Sequence, residues 1–247
     1  MFLIGEPIPF LIQSTGRLPA LFLAVWVHEA AHAWMARRAE ARAGAEPTAE
    51  PFSLRARLDP VGLIGFLVGY LGWCKSPALA EQDYLRPRRG SLLILAAGPA
   101  ANLAMAVVSG LAFRVILPFS KAEALGVPPG WMEASLTRLV LTLIILALFS
   151  LLTNLLLCIF NLIPIYPLDG EQIFIRIMPA RLARRYERLR RYGPSALLSL
   201  ILLLGPQFSA TLGRAGTSVL RLLAGIGFYE CKAVIDASYL ALWGHPR

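Results

Sequence analysis

Apolar and polar positions alternate along this chain in long blocks: runs of Leu, Ile, Val, Ala and Phe separated by short loops rich in Arg and Lys. Residues 18–37 are about the length that crosses roughly 30 Å of hydrocarbon and end in Arg37 and Arg38, which predicts a first membrane span. Residues 91–117 predict a second span and residues 136–160 a third, dense in Leu and Ile. A fourth is expected at 195–212, kinked at Gly205-Pro206. Beyond it, 217–228 and 233–243 are apolar but interrupted by Arg221, Glu230, Lys232 and Asp236, which leaves a broken last span and surface helices both open. Residues 1–12 are broken by Gly5, Pro7 and Pro9 and lack the basic start and cleavage site of a signal peptide. They are expected to lie at the interface or cover a site.

Residues 61–73 are too short and too Gly-rich for an ordinary span, and basic loops flank them on both sides. A re-entrant hairpin that enters and leaves on one face accounts for this, provided that protein or a wet cavity satisfies its backbone. A poorly hydrophobic span is the alternative. The expected fold is therefore an all-α polytopic membrane protein, a bundle of about 4–6 transmembrane helices with a re-entrant segment lining the site. It reads as a single integral-membrane domain over residues 1–247, with a core at 18–178 and C-terminal helices at 179–247.

Composition agrees with the pattern: 57% of residues are hydrophobic and only 16% charged, far from the balance of a soluble domain. The formal net charge of +9 would suit a polyanion, but the Lys and Arg sit in the loops between apolar blocks, as cytoplasmic flanks do. The charge is thus read as topology, with the lipid bilayer and not nucleic acid as partner. Residues 118–133 carry one Lys and two Glu and fall on the opposite face. Cys74, Cys158 and Cys231 show neither a pairing pattern nor metal spacing.

Within the first span stands His28-Glu29-Ala30-Ala31-His32, and two of the three histidines of the chain fall in it. Histidines four apart lie one above the other on a helix face, where both imidazoles can meet one metal ion. A glutamate beside the first can take the proton of a metal-bound water. Ionisable groups inside a span are functional by default. The third ligand is sought where the third span runs into Asn161-Leu162-Ile163-Pro164-Ile165-Tyr166-Pro167-Leu168-Asp169-Gly170. Two prolines three apart rule out a regular helix there, Asp169 offers a carboxylate, and Gly170 allows a sharp turn. Asn102, in Gly98-Pro99-Ala100-Ala101-Asn102 of the second span, is a buried polar group for which packing and a site-lining role weigh equally.

These two motifs together resemble the site-2 protease family of intramembrane zinc metalloproteases. Leu58-Asp59-Pro60, Gly72-Trp73-Cys74-Lys75, Arg86-Pro87-Arg88-Arg89-Gly90 and Ala97-Gly98-Pro99-x-x-Asn102 are similar to the compact bacterial and archaeal branch without a PDZ domain. Arg57 and the 76–80 stretch depart from that branch, away from the ligands. The resemblance implies Zn2+ on His28, His32 and Asp169, with Glu29 as general base and Asn161 and Asn102 near substrate or oxyanion. It implies hydrolysis of peptide bonds in or next to transmembrane helices of membrane-anchored protein or peptide substrates, in regulated intramembrane proteolysis. The expected location is a prokaryotic plasma (inner) membrane with the site toward the cytoplasm; no sequence feature sets an oligomeric state or names a substrate.

Two other classes share part of this pattern. A transporter or channel also breaks helices mid-membrane, but no internal repeat of the 161–170 segment is present. A non-catalytic membrane scaffold of the same fold has no use for Glu29. The seven arginines from Arg176 to Arg191 are expected to form a solvated helix on anionic headgroups.

Overall fold

The computed structural model describes residues 7–44, 59, 60, 74, 88–120, 130–200, 218–226, 230, 233–235, 237 and 238. The expected re-entrant segment at 61–73, Cys231 and most of the stretch after residue 200 lie outside the described residues. The described elements are helical: α1 (Pro7–Ala43), α2 (Arg88–Ile116), a 3-10 turn (Leu117–Ser120), α3 (Trp131–Asn161), α4 (Asp169–Ile177), α5 (Ala180–Glu187) and a 3-10 turn (Arg190–Tyr192). Residues 193–200 and 218–224 are helical as well.

α1 begins earlier than the apolar pattern suggested. Residues 7–12 are its first turns, because Pro7 and Pro9 fall where a helix needs no N–H donor. It ends at Gly44, whose left-handed φ of 63° and N–H bond to the Ala41 carbonyl (3.3 Å) close the last turn. α2 and α3 match the second and third predicted spans. The stretches Gly90–Ser120 and Ala134–Asn161 are long and apolar enough to cross a membrane. Val108, Leu111 and Val115 recur along α2 as an exposed apolar stripe, a pattern costly in water and natural in lipid.

The chain divides into two compact units. The first takes Met1–Phe22, Ala104–Leu155 and Pro206–Arg247. Its described core is aliphatic and aromatic: Ala106 and Phe113 from α2, Ile144, Leu148 and Leu151 from α3, and Leu220 and Ala224 further on. Gly110 lets α2 approach Leu223 so closely that a Cβ would lie 2.9 Å from its Cβ. Ser109 and Ser150 share a 2.8 Å hydroxyl bond, and the Asn154 amide donates to the Ser150 carbonyl at 2.8 Å, so this apolar core carries a small polar seam.

The second unit takes Leu23–Leu103 and Leu156–Gly205. It holds the end of α1 with both motif histidines, the start of α2, the last turns of α3, and everything from the proline-broken segment through α5. Among its buried residues is a set of polar ones: His28, Glu29, His32, Asn102, Asp169 and Glu171 are each at most 5% exposed. Such a concentration persists in an interior only when the groups satisfy one another or hold an ion.

Candidate metal centre

Helical geometry alone brings His28 and His32 onto one face of α1, their ring centroids 4.8 Å apart and the rings nearly perpendicular. The nitrogens facing away from the centre are both engaged. His32 Nδ1 lies 2.8 Å from the Ile94 carbonyl, which can only accept, so the proton of His32 sits on Nδ1. His28 Nδ1 donates in the same way to Asn102 Oδ1 at 2.8 Å. Both Nε2 atoms are thereby left as lone pairs, the arrangement in which a second partner fixes the tautomer of a metal-binding histidine.

The third arm comes from the end of α3. Asn161 is its last residue, and the segment 162–168 turns through Leu162 N–H to Ile159 O (3.2 Å), Ile163 N–H to Phe160 O (3.1 Å) and Leu168 N–H to Ile165 O (2.9 Å). Pro164 and Pro167 donate nothing, which is why no helix forms until Asp169 opens α4. Gly170 was expected to supply a turn; it lies instead inside α4. Its missing side chain serves close packing, since a Cβ would lie 2.4 Å from the Leu162 carbonyl.

Asp169 Oδ2 then stands 3.0 Å from His28 Nε2 and 3.2 Å from His32 Nε2, and the two nitrogens are 3.1 Å apart. With both imidazoles neutral, three electron-pair donors converge there, an arrangement that a bound cation satisfies. The edges agree with the donor set: ligands held at about 2.0–2.2 Å in a tetrahedron stand roughly 3.3 Å apart, and two imidazoles with a carboxylate are a zinc set with a fourth position open. Gly98 provides the room. A Cβ there would lie 2.3 Å from His32 Nε2 and 2.6 Å from His28 Nε2, in space an ion on those nitrogens needs. Among the described residues, His28, His32 and Asp169 are the one cluster of three metal-type side chains.

Glu29 is buried one residue after His28. Asn102 is fully buried, and its amide nitrogen has no hydrogen-bond partner among the described residues. Asn161 is half-buried and donates to the Leu157 carbonyl at 3.0 Å; no hydrogen bond joins it to the trio. Ile94 and Glu171 carried no signal in the sequence, and Arg190 was expected on headgroups with its neighbours. The Glu171 carboxylate is fully buried against Arg190, with Nε to Oε1 at 2.8 Å; burial pushes its pKa up, and the guanidinium offsets this only in part.

Membrane-type helices around a buried His, His, carboxylate cluster with an adjacent glutamate define the class: a metallohydrolase that works inside a bilayer. The chain belongs to peptidase family M50, whose family model matches residues 17–204. It is an intramembrane zinc metalloprotease of the site-2 protease type that acts on proteins in membranes. It is also similar to the Bacillus subtilis (strain 168) protein named "Putative zinc metalloprotease YwhC", with 29% identity over 228 residues, covering 88% of this chain and 96% of that one. No solved structure matches the chain.

Proposed function

We propose that His28, His32 and Asp169 hold the catalytic zinc and that Glu29 is the general base. The observation that carries this reading is the convergence of three lone-pair atoms within 3.0–3.2 Å of one another, with both Nδ1 protons already committed. Zinc bound there supplies Lewis acidity, bringing the pKa of water toward about 7 and polarising the scissile carbonyl. Glu29 receives the proton of the attacking water on its carboxylate and passes it to the departing amine nitrogen. Asn102 acts through His28, holding the proton on Nδ1. The burial of the whole cluster keeps bulk water out and strengthens each of these interactions.

The substrate is a membrane-anchored protein or peptide whose helix must unwind to free the scissile carbonyl from its own hydrogen bond. The site faces the cytoplasm in this reading, which is supported by Arg37 and Arg38 one turn beyond His32 and by the arginines that follow Asp169. A prokaryotic plasma membrane is the setting it implies.

Metal analysis and cleavage of a membrane-anchored reporter helix test the assignment together. Glu29→Gln is expected to keep stoichiometric zinc and to cleave about 10²–10⁴-fold more slowly. Asp169→Ala is expected to lose both zinc and cleavage. An Asp169→Ala protein with full zinc and normal turnover refutes the third ligand.

A further inference from the structure

Asp169 opens α4 directly after a segment with little regular structure, yet its carboxylate must meet two rings fixed on α1. What holds that segment is the chain from α5 onward. The Tyr186 hydroxyl donates to the Pro164 carbonyl, and the Tyr186 ring meets Phe174 edge-on at 5.7 Å. Arg190 Nε lies 2.8 Å from Glu171 Oε1, and its Nη2 donates to Oε2 at 3.2 Å. The same guanidinium stands 4.8 Å over the Tyr166 ring. Gly193 approaches the Tyr166 carbonyl so closely that a Cβ would lie 2.2 Å from its oxygen. The clasped residues bracket Asp169 in sequence, with Pro164 and Tyr166 before it and Glu171 and Phe174 after it.

We infer that Arg190 is a positioning residue for the metal centre: by gripping Glu171 and covering Tyr166 on either side of Asp169, it sets the place at which the third ligand meets the metal. The inference rests on the ligand assignment made above and goes beyond it. Exposed ion pairs contribute little, but here the carboxylate side chain is 0% exposed and the arginine 32%, so the pair is a built joint and not a passing surface contact. The planar fork suits both tasks at once, which a lysine ammonium cannot do. One of the arginines expected to meet headgroups is therefore turned inward.

The test uses the full chain in detergent, freed of metal and titrated with Co2+, read by its d–d absorption, and with Zn2+ against a competing chelator. Wild type and Asp169→Ala come first, to establish the signature of losing that ligand. Arg190→Met and the double variant Glu171→Leu/Arg190→Met are expected to bind zinc about 10–100-fold more weakly, and their Co2+ spectra to move toward that of Asp169→Ala. Arg190→Lys should fall between. A merely structural pair predicts otherwise: the double variant strands no charge, so its thermal midpoint should return toward wild type, and its zinc affinity with it. A double variant with wild-type zinc affinity and Co2+ spectrum overturns the inference. If Arg190→Met does not accumulate folded, Glu171→Leu, which leaves Arg190 free to turn to solvent, carries the test by the same criterion. If Asp169→Ala itself alters neither metal's binding, the ligand assignment falls and the positioning role falls with it.

Discussion

The two arms of the proposed metal centre are held in opposite ways. The histidine arm is a regular helix whose spacing already aligns both ligands, and each ring is then locked by one partner on α2, the Asn102 side chain or the Ile94 carbonyl. The aspartate arm has no such regularity. Its ligand stands at the junction of a proline-broken turn and a short helix, and the residues on either side of it are held by contacts from 17 to 24 positions later, Tyr186, Arg190 and Gly193. A helix brings its own order, whereas a loop must borrow it from whatever packs on it. Damage to the first arm should therefore act directly at the ligand atoms, and damage to the second should act through the loop, in smaller steps.

The largest effect is expected at Gly98, where the histidine arm has no slack. An added methyl group would press on both Nε2 atoms at 2.3 and 2.6 Å, and both rings are pinned at Nδ1. Gly98→Ala should bind zinc at least about 100-fold more weakly in chelator competition, more than the loss of an outer partner costs. A normal affinity would mean that the rings can slide, and that this arm is no stiffer than the other.

Asn102 comes next. Asn102→Leu removes the acceptor on His28 Nδ1, leaves the ring free to change tautomer, and should weaken zinc binding by about 10–100-fold. Asn102→Asp retains an acceptor and should stay much closer to wild type. Equal losses in both variants would show that packing, not the hydrogen bond, is what Asn102 provides.

The same contrast explains what could be read from the chain. The span positions of α2 and α3, and His28, His32 and Asp169 as candidate ligands, were legible because each rests on local pattern: apolar length, helical spacing, and a proline-broken end with a carboxylate. Asn102 was visible as a polar residue in a span, but its partner was not. The Ile94 carbonyl carries no sequence signal at all, since every residue has one. Glu171 and Arg190 lie 19 residues apart with seven arginines to choose from, and charge pattern alone favoured headgroups for all of them. Gly98 and Gly170 looked like packing or turn residues, and only the structure shows which atoms their missing side chains admit. The extension of α1 back to Pro7 was obscured because prolines read as breaks unless the first turn is already known to lie there.

The smallest effect is expected from Tyr186→Phe. The substitution removes one hydroxyl, and with it the bond to the Pro164 carbonyl, while the ring keeps its edge-on contact with Phe174. Proline carbonyls in this segment have few donors to choose from, because Pro164 and Pro167 contribute none. Water can replace the lost donor at such an exposed position, so the net cost should be near that of an ordinary hydrogen bond, about 1 kcal/mol. Part of that should appear as a few-fold weaker zinc affinity, since the loop carries Asp169. The comparison to make is with Ser109→Ala, which also deletes a single hydroxyl contact, in the aliphatic core of the other unit. Ser109→Ala should lower the thermal midpoint by a similar amount and leave zinc affinity unchanged. If both hydroxyl deletions weaken zinc alike, the loss reflects general loosening of the protein, and the aspartate arm is not held by its return segment.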